Sequence, residues 1–514
     1  MSIRRLLWSS LIVVVLLAAC GRTVEPGAGM GTRPTDAVVV SATVAAGEGT
    51  RPTNVKALRR LVVLYTNDEH GWMEATEKSG GAAGLVSLWR EQEGYTQDEP
   101  FLILSGGDMW TGPAISSWFD GQSMAEVMNA MGYDAAAVGN HEFDFGLDGL
   151  RERAAQSTFP FLSANIRDKG TRGFPDIVRD GTILPYTVEE VNGVRVGLIG
   201  LTTVQTPQTT MPDNVAGFDF IPYQQALEEV VPQARADGAE LLIVVGHICA
   251  GEMRTLAPAA AELGIAAIGG GHCHERMSDV VDGVALIVSG AYLEAYARVE
   301  ILFDPAKDAV VGVEPSTHMN QGGTPDAEVA AVVARWRARA DDALSQAIGY
   351  VEKGIGQRSD AMLNMVTDAW LEAYPAADVA LTNRGGFRQA IPAGEITLAT
   401  LVGVLPFNNV LVDVALSGAQ LIENITCCQP AVGGMTTVGG YKLADGTPID
   451  PKATYHVLVN DFMYAGGDDF RLKEYDPHAY NTAIDWRQPV IDWIASLNTS
   501  PQHPLDAYLD TAPR

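Results

Sequence analysis

Residues Ile268–Glu275 read IGGGHCHE. Two histidines bracket a cysteine directly after three glycines, and the glycines close an apolar run that begins at Ile265. Buried strands of an α/β layer end in this way, with polar chemistry collected in the loop beyond the carboxyl end. The same pattern recurs in RLVVLYTN, FLILSGG, DAAAVGN, VGLIGLTT, LLIVVGH and VALIVSG, separated by helix-like segments, from Leu58 to about Pro325. It predicts an α/β sandwich whose loops gather along one edge.

Five of the nine histidines stand at the ends of these runs. TNDEHG supplies Asp68 and His70, SGGD supplies Asp108, and GNHEFD supplies Asn140, His141 and Asp144. VVGH supplies His247, and the opening stretch supplies His272 and His274. In extended loops residues i and i+2 project to one side. Asp68 and His70, and likewise His272 and His274, are therefore expected to act as pairs, with Cys273 facing away. Five histidines with three acids and an asparagine, all after apolar runs and glycines, point to a metal site rather than to core filling.

The order DxH, GD, GNHE, GH, GHxH resembles the calcineurin-like metallophosphoesterases. The longer strings NDEHG, GNHEFDFG and VNGVRVGLIGLTT are similar to the bacterial 5′-nucleotidase/UDP-sugar hydrolase family, over about Arg60 to Phe470. The resemblance implies a four-layer α/β/β/α metallophosphoesterase sandwich followed by a second α/β domain, the 5′-nucleotidase C-terminal domain. By position it implies one metal on Asp68, His70, Asp108 and His274. Asp108 would be shared with a second metal on Asn140, His247 and His272. Many nucleotidases of the family carry Gln or Asn in place of His274. Two divalent cations about 3.5–4 Å apart activate water and stabilise charge on a phosphoryl group. The N and O donors suit Mn or Zn. His141 would stand outside the ligand set, beside the phosphate, with Asp144 fixing its tautomer.

The resemblance also places the substrate. Phe407 in VLPFNN and Phe462 in NDFMYAGGDD match the phenylalanines that sandwich a nucleobase, and stacking tolerates any base. Asp468 matches the acid that accepts from the ribose hydroxyls, and the two glycines before it would let the backbone come close. Asn383 and Arg388 in TNRGGFR, with Arg358 in GQRSDAMLN, match polar contacts to base and phosphate. Arg suits phosphate through its planar fork. A single arginine near 358 makes a second phosphate group less securely held, and Arg384 would add a phosphate contact or face solvent.

The chain has 514 residues and a net charge of −28, which argues against nucleic acid as a partner. MSIRRLLWSSLIVVVLLAAC has two arginines and an apolar run too short to span a membrane. LAAC resembles a bacterial lipobox, which implies cleavage before Cys20, lipid attachment to its thiol and an extracytoplasmic, membrane-anchored protein, periplasmic or at the cell surface. The expected organisation is a lipoprotein signal peptide at 1–20, a flexible Gly/Thr/Pro/Ala-rich linker at 21–57 and the metallophosphoesterase domain at 58–325. A connector helix at 326–346, placed to act as a hinge, and the C-terminal domain at 347–510 complete it. Cys249 and Cys273 reach one rim and are expected as free buried thiols, with a bridge as the alternative. Cys427 and Cys428 are adjacent, and vicinal bridges are rare.

The function expected is hydrolysis of nucleoside 5′-monophosphates outside the cytoplasm, with no obligate protein partner. The alternatives with the same centre are a 2′,3′-cyclic-nucleotide phosphodiesterase/3′-nucleotidase, a UDP-sugar hydrolase and a thiosulfohydrolase. A surface binding protein is the non-enzyme alternative, and it would be expected to have lost ligands.

Overall fold

The computed structural model describes residues 58–96 and 99–514. The expectations for the leader, Cys20 and the linker at 21–57 fall outside the described residues. Each of the seven apolar runs read from the sequence is a strand. A seven-stranded sheet runs in the order Ala309–Met319, Ala295–Asp304, Arg59–Thr66, Phe101–Ser105, Ala135–Ala137, Phe161–Leu162, Ile183–Leu184. A six-stranded sheet runs Arg276–Val281, Val284–Ser289, Ile265–Gly269, Leu241–Gly246, Val194–Leu201, Tyr186–Val191.

Successive side chains of a strand point to opposite faces, so a strand covered on both sides must be apolar at every position. Arg59–Thr66 shows this: Val62 and Leu64 pack under the helices Gly81–Leu88 and Gln122–Met131, while Leu61, Val63 and Tyr65 face the second sheet. On the far side of the second sheet, Leu242 and Val244 pack against the helices Tyr223–Ala236 and Ala250–Glu262. Three apolar cores between four layers give the α/β/β/α sandwich.

The central strands of each sheet are parallel, so their carboxyl ends coincide. Tyr65 ties the two edges together. Its hydroxyl donates to the Gly246 carbonyl at 3.1 Å, and a Cβ on Gly269 would lie 2.2 Å from its ring. Only glycine at 269 lets the strand leading to His272 pass so close to the strand leading to Asp68.

The helix expected at 326–346 is Ala327–Leu344, capped by Asp326, whose carboxylate accepts from the amides of Glu328 and Val329. Val329, Trp336 and Ala340 belong to the first sandwich's outer core, and Trp336 Nε1 donates to Glu126 at 2.6 Å. The helix is thus docked on the first block rather than lying free between the two. Beyond it a five-stranded sheet (Ala431–Gly433, Val379–Thr382, Thr454–Asn460, Val410–Ser417, Tyr480–Asp485) carries Asp360–Ala373 and Gln488–Ser496 on one face and Gly418–Cys428 on the other. Among the described residues no helix is long and apolar enough to cross a membrane.

Candidate metal centre and substrate cleft

The strand-end loops of both sheets converge on one cluster, buried except at its His272 and His274 edge. His247 Nε2 lies 3.0 Å from Asp108 Oδ2 and 3.2 Å from Asn140 Oδ1. His274 Nε2 lies 3.3 Å from His70 Nε2 and 3.4 Å from Asp68 Oδ1. His70 Nε2 is 3.9 Å from both Asp68 Oδ1 and Asp108 Oδ2. The rings of His247 and His272 are 5.1 Å apart. Two donor groups result, Asp68/His70/His274 and Asp108/His247/His272, each with its ligand atoms within 4.8 Å of one another. Geometry also groups His141 with His70 and Asp108. The Nδ1 of His141, however, is engaged with Asp144 at 2.8 Å.

The pairing at i and i+2 has a different cause from the one expected. Asp68, His70, Asp108, His272 and His274 all have positive φ, from 46 to 72°. Left-handed turns, not pleated strands, aim the side chains inward. Such backbone costs of order 1–3 kcal/mol per non-glycine residue and clusters where function over-determines it. Here the loops are pinned: the amides of Asp68, His70 and His272 donate to Gly107 O, Asp108 O and the Asp68 carboxylate, respectively.

The donor set fits divalent cations. Imidazole nitrogens, carboxylate oxygens and one amide oxygen face one another in a buried space, and the cation that reaches them is the guanidinium of Arg388, 3.2 Å from His70 Nε2. Burial disfavours charge on His247, but Asp108 outweighs it and raises the pKa to about 10. Burial and then His247 lower His272 to about 4. Thr111 O accepts from His70 Nδ1 at 2.9 Å and Gly106 O from His247 Nδ1 at 2.7 Å, which turns both Nε2 atoms inward.

Above the cluster is a cavity of about 510 Å³ lined from both blocks. His70, Asp108, Asn140, His141, Asp144, His272 and His274 come from the first block, and Asn383, Arg388, Phe407, Phe462 and Asp468 from the second. Arg358 is not on its wall; it stands near Arg388, Tyr292 and Asp468 and feels their charge. Asn383 donates from Nδ2 to Asp468 at 2.8 Å and accepts at Oδ1 from Asn460 at 3.0 Å, so its amide is spent on holding Asp468. Arg384 does not line the cavity: it is exposed, and its Nε donates to Gln429 O at 3.1 Å. Gly467, directly before Asp468, makes room for a side chain of the protein itself: a Cβ there would lie 2.3 Å from the Phe462 ring.

The cysteines depart from expectation. Cys249 and Cys273 are not free thiols but are bonded, with Cα atoms 5.3 Å apart, and Cys273 borders the cavity instead of turning away. Their loops approach because the Gly271 amide donates to Ile248 O at 2.9 Å. Cys427 and Cys428 also form a bridge, at the end of the helix Gly418–Cys428.

Three residues of the site carried no sequence signal. Tyr292 has its ring 5.7 Å from His70 and 5.2 Å from His274. Trp486, fully buried, borders the cavity and donates to Phe407 O at 2.8 Å. Thr210 lines the wall beside Asp144. The DWRQ boundary around Trp486 and the threonines at 202–210 are patterns too common to mark a site.

Residues 347–443 match the family model described as 5′-nucleotidase, C-terminal domain. The chain is 26% identical to the 5′-nucleotidase of Vibrio cholerae over 85% of this chain and 90% of that one. It is 26% identical to a cell wall protein of Listeria monocytogenes over 79% of this chain, and it spans 63% of that relative's length. Among solved structures, a 5′-nucleotidase precursor from Thermus thermophilus superposes with a TM-score of 0.74 at 25% identity, over 86% of this chain and 97% of that one.

Proposed function

Because the chain belongs to the 5′-nucleotidase family, in which a metallophosphoesterase domain precedes a 5′-nucleotidase C-terminal domain, we propose that it hydrolyses nucleoside 5′-monophosphates to nucleoside and phosphate. One observation carries this reading: the metal-type donors and the pair Phe407 and Phe462 with Asp468 border a single cavity. A bare phosphoesterase needs only the first set, and a nucleoside needs the second.

In this reading the first block is 58–325 and the second 347–510. Asp68, His70, Asp108 and His274 hold one divalent cation, and Asp108, Asn140, His247 and His272 hold the other, with Mn or Zn the best chemical match. The cations supply Lewis acidity and an activated water at neutral pH. Phe407 and Phe462 take the base, and Asp468, steadied by Asn383, accepts from the ribose hydroxyls. Arg388 reaches the phosphate directly and Arg358 adds positive potential behind it.

His141 handles the leaving group. Its Nδ1–H donates to Asp144 Oδ2, so the proton to be moved sits on Nε2, which lies 4.0 Å from Asp108 Oδ2 and borders the cavity. Burial works against a charge on this ring, and the carboxylates of Asp144 and Asp108 outweigh it and raise its pKa. A protonated Nε2 can donate to a phosphoryl oxygen and then to the departing O5′.

The names of relatives from a cell wall and from venom favour an extracytoplasmic setting, in keeping with the lipobox at Cys20. The test is phosphate release by residues 21–514 with Mn or Zn, offered 5′-AMP, 3′-AMP, 2′,3′-cyclic AMP and UDP-glucose in parallel. Turnover of 5′-AMP that is lost in His141→Ala supports the reading. Turnover of 3′-AMP and cyclic AMP alone moves the function to the phosphodiesterase branch.

A further inference from the structure

The segment between the strands Val194–Leu201 and Phe218–Phe220 runs along the cavity wall and contributes Thr209, Thr210, Met211 and Asn214. Three of its polar groups turn toward the loop that carries His141. Thr210 Oγ1 donates to Asp144 Oδ1 at 2.9 Å. The neighbouring Thr209 carbonyl accepts from Asn140 Nδ2 at 2.9 Å. Asn214 Nδ2 donates to the carbonyl of Phe143 at 2.7 Å. Three anchor points thus grip residues 140, 143 and 144.

The grip on Asp144 has a specific consequence. Oδ2 of this carboxylate already accepts from His141 Nδ1 at 2.8 Å and from Thr111 Oγ1 at 2.7 Å. Among the described residues, Thr210 is the side chain that holds Oδ1. The terminal torsion of an aspartate is broad and soft. A carboxylate held at one oxygen can swivel, and the imidazole bonded to it tilts with it. Held at both oxygens, it keeps Nδ1 protonated and Nε2 aimed at the cavity. Thr210 is itself 1% exposed, and its amide donates to Thr206 O at 3.2 Å, so the hydroxyl is fixed from its own side.

We propose that Thr210 is a positioning residue for proton transfer: by holding the second oxygen of Asp144 it fixes the orientation of His141. The inference rests on the proposed role of His141 in hydrolysis. The hydroxyl is the working group, because a threonine and a valine have nearly the same shape and differ in that donor.

The test is steady-state hydrolysis of 5′-AMP by the Mn-loaded protein carrying Thr210→Val, Thr210→Ser or His141→Ala, and by the Thr210→Val/His141→Ala pair. Thr210→Val should lower kcat by roughly 10- to 100-fold, the range typical of groups that orient a site residue. KM should stay within about twofold and metal content should be unchanged, and Thr210→Ser should recover most of the loss. In the His141→Ala background the valine should add nothing, since the residue it orients is gone. Thr210→Ala replaces the valine variant if that one does not fold. A wild-type kcat, a loss confined to KM, or the same fold-loss with and without His141 would overturn the proposal. Full activity in His141→Ala alone would instead remove the proposed role of His141, and this inference with it.

Discussion

The imidazole of His141 and the phenyl ring of Phe407 lie stacked, with centroids 5.7 Å apart and planes inclined by 27°. One ring comes from the α/β/β/α sandwich of the first block and the other from the second block. The residue proposed to bind the base thus touches the residue proposed to move the proton. Trp486 holds Phe407 there by donating to its carbonyl, while its own amide donates to Asn409 O at 3.1 Å. Base stacking is worth about 1–3 kcal/mol, so Phe407→Ala should raise KM for 5′-AMP by roughly 5- to 150-fold. It should also lower kcat, because the His141 ring loses a wall. Phe462→Ala should raise KM alone. Steady-state assays with 5′-AMP and with p-nitrophenyl phosphate separate the two, since the second substrate has no base to lose. Equal behaviour of both variants on both substrates would contradict this division.

Asp108 Oδ2 lies 3.0 Å from His247 Nε2 and 3.9 Å from His70 Nε2, one histidine from each donor group, whereas His272 belongs to one group. Asp108→Ala should therefore reduce bound metal from two equivalents toward none and abolish turnover. His272→Ala should leave about one equivalent and a small residual rate. Elemental analysis after dialysis against Mn or Zn checks this. Two equivalents retained in Asp108→Ala would rule out a shared ligand.

What was legible in the sequence follows from what burial forces. A strand covered on both faces has to be apolar throughout, so the seven runs announced themselves, and polar residues at their carboxyl ends had to be loops. The donor residues stood out because histidine and aspartate at five such ends have no packing role. The conformation of those loops was not legible. Asp68 and His272 are common enough residues that nothing marks them as left-handed. Thr210 was hidden for another reason: a single threonine in a connecting segment becomes meaningful only when a carboxylate from Asp144, distant in sequence, meets it. Nothing in the sequence separates Trp486 or Tyr292 from ordinary core aromatics, and Trp486 is core that also reaches the cavity. The bridges were misjudged because a cysteine's spacing carries no information about the loop that brings its partner.

Asp134 gives a pH dependence that is independent of the metal site. Its carboxylate accepts from the Ile103 amide at 2.7 Å, yet burial raises its pKa from 3.8 to about 6. The folded state then holds this proton more tightly than the unfolded chain does. Stability should fall as pH rises from about 4 to about 6, by on the order of 3 kcal/mol from this group, and stay at the lower level above that window. Asp134→Asn keeps an acceptor for Ile103 and cannot ionise. Denaturant unfolding should show the variant gaining on the parent at pH 7.5 and matching it near pH 4. A difference of the same size at both values would show that the charge is not what matters.

The two bridges should differ sharply in what they contribute. Cys249–Cys273 closes a loop with a sequence separation of 24, which restricts the unfolded chain by about 3 kcal/mol. Cys427–Cys428 joins neighbours and restricts almost nothing. The first also clamps the loop after His247 to the loop between His272 and His274. A Cys249→Ser/Cys273→Ser protein should therefore melt several degrees lower and hold the cation of the Asp108/His247/His272 group more weakly. A Cys427→Ser/Cys428→Ser protein should change neither property appreciably. Thermal melting with and without Mn reads both effects together, because a weakened site shows a higher metal concentration for the same rise in Tm. If the two variants shift Tm and metal affinity alike, the bridge beside the histidines has no special hold on the centre.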